Sequence, residues 1–275
     1  EGSQGVISGN SVTGAGRDGI YVQEVDYGCV LTVEENTFSG NGDIGFDCSS
    51  GAGYGSYLEL LDNVIEGNNS DGLYIYDITD GAEAVIRGNT ITGNEEGITV
   101  EHMYTGGLLT VEDNEVSANG SIGLWLCGVE DTVADSEAAV LNNVISENLG
   151  WGIESNIRHA MVDISGCNKV EGNAGGIHIL GSELGMVHIN NNNIEGNSDW
   201  GLLNDGLESI DGIENWWGDV SGPQNPATNP DGLGDNVSDG VEYEPWMTQT
   251  CSPSNLKAAF TASPRNGVAG ISVQF

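Results

Sequence analysis

Short runs of alternating apolar and polar residues recur along most of the chain, each beside the motif Asn-x-apolar-x-Gly-Asn. Clear copies of this motif occupy residues 36–41, 63–68 and 89–94. The marker asparagine of each repeat, spaced by 23 to 29 residues, is Asn10, Asn36, Asn63, Asn89, Asn114, Asn143, Asn168, Asn192 and Asn215. A repeat of about 20–50 residues is the sequence signature of a solenoid or a similar repeat architecture.

The apolar positions of each repeat fall into three short stretches with a period of two, which predicts three strands and no helix. The first stretch precedes the marker, as in Leu31 and Val33, Leu58 and Leu60, or Leu109 and Val111. The second surrounds an apolar residue two positions after the marker, as in Phe38, Ile65 and Ile91. The third reads Gly-apolar-x-apolar and begins at Gly19, Gly72, Gly97 and Gly123.

This pattern predicts an all-β protein in which about nine three-strand rungs stack into a parallel β-solenoid. One three-strand turn cannot bury its apolar face alone, but consecutive turns share a continuous core. We expect equivalent residues to stack at about 4.8 Å, the spacing of neighbouring strands. At that spacing the amides of stacked asparagines can hydrogen-bond one another along the rod, as amide ladders do.

On these repeats, residues 1–215 resemble the right-handed parallel β-helix superfamily, the pectate-lyase-like fold with its secreted sugar-binding and sugar-hydrolysing members. The handedness is an implication of that resemblance. Residues 216–247 resemble the segment that closes many such proteins. We expect Trp216, Trp217 and Trp246 to plug the open end of the apolar core, because solenoids need caps for solubility.

Beyond the expected cap, residues 248–257 are predicted to be a linker. Residues 258–275 resemble the first two strands of a polycystic-kidney-disease (PKD) domain, an immunoglobulin-like sandwich. A complete sandwich of this kind has roughly 100 residues, so only its beginning is present. PKD modules are typical of secreted and cell-surface proteins, and the resemblance therefore implies an extracellular or cell-surface location.

The charge of the chain limits the classes of molecule that it can bind. It carries 42 acidic and 6 basic side chains, a formal net charge of −36. Nucleic acid is excluded because binding it requires many Lys and Arg residues against the phosphates. Acidic polysaccharides are disfavoured because the surface repels them. No apolar run is long enough for a transmembrane helix, so direct membrane insertion is not expected.

In the β-helix superfamily, the sugar site usually lies on the outer face of the strand that reads Gly-apolar-x-apolar. The outward positions of that strand supply the candidate glycan-binding residues Tyr74, Tyr76 and Trp125. They also supply the candidate catalytic carboxylates Glu101 and Glu154, two rungs or roughly 10 Å apart. That separation lies just beyond the window of about 6.5–9.5 Å for an inverting glycosidase pair.

The better-known enzymes of the superfamily match this chain poorly. Pectate lyases abstract a proton with Arg or Lys, and the basic residues of the repeats, Arg17, Arg87, Arg158 and Lys169, lie outside these outward positions. The Gly-His-Gly and Arg-Ile-Lys motifs of polygalacturonases are absent. The sequence therefore favours a protein without catalytic activity. If the protein is an enzyme, we expect a glycoside hydrolase and not a polyuronate lyase.

No cofactor is required by this interpretation. Asp231, Asp235 and Asp239 lie in a Gly-rich loop with the oxygen ligands that calcium prefers, and a turn-rich acidic loop without metal is the competing interpretation. The five cysteines form no CxxC pair, which argues against a zinc or redox motif. Cys29 and Cys48 are interpreted as small buried residues.

Two functions remain after these exclusions. The first is an extracellular or cell-surface structural or adhesive module, part of a surface layer, stalk or filament, whose exposed strand edges could accept copies of itself. The alternative is a module that binds or degrades neutral glycans through the face of Tyr74, Tyr76, Trp125, Glu101 and Glu154. The lack of a recognisable catalytic set favours the first.

Overall fold

A computed structural model describes residues 2–127, 136–156, 160–181 and 187–252. These residues form strands and turns, with no helix among them that could cross a membrane. The first half contains β1 (Gln4–Ser8), β2 (Ser11–Thr13), β3 (Ile20–Val22), β4 (Val30–Glu34), β5 (Thr37–Ser39), β6 (Phe46–Cys48), β7 (Tyr57–Leu61), β8 (Val64–Glu66), β9 (Leu73–Ile78), β10 (Glu83–Arg87), β11 (Thr90–Thr92) and β12 (Ile98–Met103). The second half contains β13 (Leu108–Glu112), β14 (Glu115–Ser117), β15 (Leu124–Leu126), β16 (Ser136–Leu141), β17 (Val144–Ser146), β18 (Trp151–Ser155), β19 (Ala160–Ser165), β20 (Lys169–Glu171), β21 (Gly175–Ile179), β22 (Val187–Ile189), β23 (Asn193–Glu195) and β24 (Leu202–Asn204). The closing segment contains β25 (Ile210–Asp211), β26 (Pro223–Gln224), β27 (Gly234–Asn236) and β28 (Val241–Glu242).

The strands form three long parallel sheets, and each sheet takes every third strand. The first sheet has the order β1-β4-β7-β10-β13-β16-β19-β22-β25-β28, the second β2-β5-β8-β11-β14-β17-β20-β23, and the third β3-β6-β9-β12-β15-β18-β21-β24. A small fourth sheet pairs β26 with β27. The predicted parallel β-solenoid with three strands per rung is therefore confirmed.

The described residues form eight triplets of strands, which is about seven complete turns from the first triplet to the last, and not nine rungs. The ninth marker, Asn215, does join the column of stacked asparagines. The residues around it make only isolated bridges, Asn193 with Trp216 and Leu202 with Val237. The chain has left the repeat at that point and has begun to close the end.

Inward-pointing residues of all three sheets form one continuous core. A single turn contributes Leu58 and Leu60 from β7, Ile65 from β8, and Leu73 and Ile75 from β9, all fully buried. The alternation seen in the sequence is the alternation of these side chains with outward residues. Burial of one such side chain contributes about 1.5–3 kcal/mol, which is why apolar residues recur at these positions in every rung.

The marker asparagines stack into a first asparagine ladder at the corner between the first and second sheets. Within it, the Asn63 backbone N and side-chain Nδ2 both donate to Asn89 Oδ1 at 2.9 Å. Asn63 Nδ2 also donates to the Val33 carbonyl of the preceding rung at 2.9 Å. The side-chain amide thus satisfies a corner whose backbone groups would otherwise be buried without partners.

A second asparagine ladder marks the corner between the second and third sheets. Its members are Asn41, Asn68, Asn94, Asn119, Asn148, Asn173 and Asn197, and each donates to the next one. The last member donates to a carboxylate in place of an amide: Asn197 N and Nδ2 both lie 2.9 Å from Asp235 Oδ2. Asp235, which is 38 residues further along the chain, therefore terminates this ladder.

The closing segment covers the end of the core. Trp217 is fully buried and belongs to the core together with Val237, Val241 and Tyr243, so the predicted plug is present. Trp246 is partly buried against the core. Trp216 does not plug the core; it is half-buried, and its Nε1 donates to Glu195 at 3.0 Å.

A disulfide joins Cys167 to Cys251 and ties the closing segment to the seventh triplet. Of the three free cysteines, Cys48 is buried, as expected, whereas Cys29 and Cys127 are half-buried. The predicted start of a PKD domain lies outside the described residues, as does all but the first part of the predicted linker.

We predict that Asn68→Ala lowers the free energy of unfolding by about 2–4 kcal/mol, because it removes buried hydrogen bonds and takes away the oxygen to which Asn41 N and Nδ2 both donate. Asn69→Ala is the matched control, since the neighbouring side chain is exposed and should change stability by less than about 0.5 kcal/mol. Chemical denaturation of both variants measures the difference. Equal effects at the two positions would contradict the structural role of the ladder.

Candidate functional site

The outward residues of the third sheet form one continuous column, as the repeat predicts. Strand pairing places Tyr21, Asp47, Tyr74, Thr99, Trp125, Glu154, His178 and Leu203 side by side in consecutive rungs. Because neighbouring strands are about 4.8 Å apart, the column from Asp47 to His178 extends for roughly 24 Å. Its residue types divide it into an acidic half and a histidine half.

The acidic half is built around a pair of carboxyl groups, Asp71 and Glu96, which hydrogen-bond each other. Each stands immediately before the glycine that opens a third-sheet strand. The Thr99 hydroxyl donates to Asp71, and its Oγ1 lies 3.4 Å from Glu96 Oε2. Burial and the negative charge of Asp71 raise the pKa of Glu96 to about 7, and burial also raises the pKa of Asp71. The two groups therefore hold a proton between them near neutral pH.

Two further contacts complete this half. Asp47 is buried in the column, and it accepts hydrogen bonds from Ser49 Oγ at 2.7 and 2.6 Å. Burial raises the pKa of Asp47, with the Ser49 hydrogen bonds opposing the shift. The Tyr74 hydroxyl donates to Glu101, and burial together with this carboxylate raises the pKa of the tyrosine. The tyrosine is thus a fixed, protonated donor.

The histidine half is organised by His178, which is only 8% exposed. Its Nδ1 lies 3.0 Å from Glu154 Oε2 in the preceding rung, and its Nε2 lies 3.1 Å from Asp205 Oδ2 in the following rung. Burial lowers the pKa of His178, but the hydrogen bonds and charges of the two carboxylates outweigh burial and leave the pKa raised. When it is protonated, His178 can donate to both carboxylates and so bridges three rungs.

Two indole rings border this network. The ring of Trp151 lies 4.6 Å from the His178 ring, centroid to centroid. It covers Gly175 of the next rung, where a Cβ atom would lie 2.3 Å from Trp151 Cε3, so only glycine leaves room for the indole. Trp125 stands next to Glu154 in the column. Half-buried aromatic rings and hydrogen-bond acceptors thus alternate on one face of the rod, which we call the third-sheet face.

The candidate residues from the sequence all map to this face, but they do not act together as expected. Tyr74 and Trp125 lie in the column, separated by Thr99. Tyr76 lies beside the column and contacts the edge of the His102 ring at 5.2 Å. Glu101 and Glu154 are engaged separately, one by Tyr74 and the other by His178. The carboxyl groups in mutual contact are Asp71 and Glu96.

Sequence reasoning missed Asp71, Glu96 and Trp151 because each precedes the strand glycine and so lies outside the alternating pattern. A signal was present: acids occupy that position in two successive repeats, Asp71-Gly72 and Glu96-Gly97. It also missed the pairing of His178 with Asp205, although both stand at outward positions of neighbouring rungs.

The predicted calcium ligands are dispersed. Asp235 accepts from Gly196 N and from Asn197, which terminates the second ladder. Asp231 is exposed, and Asp239 lies 3.5 Å from Asn225 Nδ2. Within the described ranges, no group of three or more His, Cys, Asp or Glu side chains is arranged to hold a metal ion. Calcium binding here stays a prediction without added support.

Comparison with known families gives one match. The family described as a right-handed β-helix region matches residues 1–106 and 77–219, most of the chain. The chain belongs to the right-handed β-helix family. No curated protein matches this β-helix, and no solved structure does. The family assignment establishes the fold. It specifies neither a ligand nor an activity, and these have to be inferred from the residues of the third-sheet face.

We predict that His178 stabilises the β-helix most in mildly acidic solution. Because its folded-state pKa is raised above the usual value of 6.5, its contribution is fully present below pH 6.5 and is lost as the pH rises through the folded-state pKa. The unfolding free energy of the parent should exceed that of His178→Gln by more at pH 6 than at pH 9, as urea denaturation would measure. A difference that does not change with pH would refute the bridging role.

The raised pKa of Glu96 predicts the opposite dependence of stability on pH. A carboxyl group whose pKa is raised to about 7 destabilises the folded state increasingly as the pH rises from its usual value of 4.5 towards 7. The melting temperature of Glu96→Gln relative to the parent should therefore rise between pH 4.5 and 7.5. Glu115→Gln, at an exposed residue of the second sheet, is the control and should show no such trend.

Proposed function

We propose that this β-helix is an extracellular adhesive rod that binds a neutral glycan along its third-sheet face, without cleaving it. The observation that carries the proposal is the group Trp125, Trp151, Glu154, His178 and Asp205, in which indole rings and charged hydrogen-bonding groups lie side by side on the third-sheet face. Sugar rings offer apolar C–H faces and hydroxyl groups, so they match both components.

The chemistry of the face favours an uncharged ligand. Carboxylates at Glu101, Glu154 and Asp205 accept hydrogen bonds from hydroxyl groups. The same carboxylates, on a chain with a net charge of −36, repel uronates and sulfated sugars. A neutral polysaccharide lying along the column could contact several rungs at once and so gain affinity through repeated weak contacts.

Binding without cleavage is favoured by the positions of the carboxyl groups. A retaining glycosidase needs two carboxyl groups about 5–5.5 Å apart and an inverting enzyme needs about 6.5–9.5 Å. Asp71 and Glu96 hydrogen-bond each other and do not stand on opposite sides of a gap that a sugar could occupy. Glu101 and Glu154 are each bound to a neighbouring side chain. We therefore assign these acids to holding the face together and to accepting ligand hydroxyls.

An extracellular location is supported by the Cys167–Cys251 disulfide. Disulfides persist in oxidising compartments and are rare in reducing ones. The PKD-like sequence of residues 258–275 points in the same direction, because such modules are typical of secreted and cell-surface proteins.

Binding of neutral oligosaccharides by the parent chain should depend on Trp151. We predict that Trp151→Ala weakens the affinity at least about tenfold, because truncating an aromatic anchor at the centre of a binding surface commonly costs 2 kcal/mol or more. Calorimetric titration with hits from an array of neutral and acidic glycans measures the effect.

Tyr54→Asn is the matched control, since it removes an exposed aromatic ring from a loop outside the third-sheet face and places Asn where the backbone has a φ of 47°. It should leave the affinity unchanged. The proposal fails if the parent binds no neutral glycan, or if Trp151→Ala binds as tightly as the parent. Release of reducing sugars from a bound glycan would contradict the assignment as a binder and establish hydrolysis.

A further inference from the structure

The C-terminal end of the described residues is covalently attached to an earlier rung. Cys251 is next to the last described residue, and its partner Cys167 lies 84 residues earlier, between β19 and β20 of the seventh triplet. The chain enclosed between the two cysteines contains the rest of that triplet, the eighth triplet and the whole closing segment. Its two ends meet at a Cα–Cα distance of 5.7 Å.

We infer that the Cys167–Cys251 disulfide is a mechanical clamp, through which a pull on the chain beyond residue 252 enters the rod at Cys167 and bypasses the cap. This inference goes beyond glycan binding and does not depend on it. An adhesive rod held by its ligand at one place and pulled at another would need such a load path.

Without the disulfide, the closing segment is held by contacts that a pull from the C-terminal side would load one after another. Cys251 is joined to Asn193 by two hydrogen bonds, 2.9 Å from Cys251 N to Asn193 Oδ1 and 3.3 Å from Asn193 Nδ2 to the Cys251 carbonyl. Further contacts along the chain include Met247 N to the Asn215 carbonyl at 2.9 Å, Glu214 N to the Pro245 carbonyl at 2.6 Å and Gly212 N to the Glu242 carbonyl at 2.9 Å. Such contacts break sequentially, so the segment would peel at low force.

With the disulfide, the same pull reaches the interior of the rod. Cys167 is buried, and its N donates to the Asn191 carbonyl at 2.7 Å. The adjoining strand β20 is paired with β17 on one side and β23 on the other. In addition, Asn168 donates within the first ladder to Asn192. To move Cys167, both neighbouring rungs must separate from its rung together, which requires breaking many bonds at once.

Peeling would matter because the cap protects the core. Asp235, Trp217 and Val237 lie within the enclosed segment, where they terminate the second ladder and cover the apolar end. Removal of the cap would expose the eighth triplet, and in a solenoid each rung depends on its neighbours for a buried face. The disulfide prevents the loss of the cap and the exposure of the eighth triplet from starting at the C-terminal end, where the force is applied.

Single-molecule stretching of the full 275-residue chain, held at both termini, tests the inference. In the oxidised chain the residues enclosed between Cys167 and Cys251 should never extend. After reduction, an additional event should release roughly 280–300 Å of contour length, from about 3.3–3.6 Å per extended residue. That event should come first, at a lower force than any unfolding event of the oxidised rod.

The double variant Cys167→Ser/Cys251→Ser, without reductant, should reproduce the behaviour of the reduced parent. Cys29→Ser, which removes a free thiol, should behave like the parent under both conditions. The inference is overturned if the oxidised chain extends to its full length, if reduction adds no length, or if the added length appears only with or after unfolding of the rod. Glycan binding is not part of this measurement, so its outcome is separate from that of the proposed function.

Discussion

Buried side-chain amides that stack from rung to rung are the interaction on which this molecule depends. An asparagine amide donates two hydrogen atoms and accepts two, so identical residues at one strand spacing can satisfy each other and the adjacent backbone. Asn63 shows the arrangement, with its Nδ2 shared between Asn89 Oδ1 and the Val33 carbonyl. No other common side chain meets these requirements in so small a volume. The two ladders therefore explain why asparagine recurs at two fixed positions in all but the first and last repeats.

The ladders also determine what the surface can do. Because each rung is held in register with the next, an outward residue of one third-sheet strand lies directly beside its equivalent in the next strand. A bridge such as Glu154–His178–Asp205 is possible only when three rungs keep this alignment. The same alignment brings acids together, and where they are buried the protein responds by retaining a proton, as between Asp71 and Glu96. A strongly acidic chain can therefore hold carboxyl groups close together on its outer face.

The repeat in the sequence was sufficient to predict the three sheets, the inward residues and the membership of the third-sheet column. Alternation and marker spacing are local properties, and they can be recognised in the sequence without knowledge of the fold. Contacts that depend on the corners could not be predicted in this way. Trp151, the first residue of β18, covers Gly175 of the next rung, and Asp71 and Glu96 meet from positions just before their strands.

Long-range contacts were missed for a different reason. Asp235 terminates the second ladder from 38 residues away, and Cys251 reaches back 84 residues to Cys167. Neither spacing is related to the repeat, so the sequence offered no period by which to find them. The rung count was one too high because Asn215 keeps the marker identity although the second and third sheets have no further strand after it. An asparagine can thus belong to the ladder at a place where the rung no longer has its full set of strands.

The central claim is that both ladders are continuous, fully hydrogen-bonded columns of amides, and hydrogen exchange of the asparagine side chains tests it most directly. Nuclear magnetic resonance of the folded, oxidised chain in deuterated buffer can follow each Nδ2 group. The account predicts that the Nδ2 hydrogens of Asn63, Asn89, Asn114 and Asn143 exchange far more slowly than those of exposed Asn69, and at similar rates to one another. Rapid exchange at ladder positions, matching that of Asn69, would contradict it.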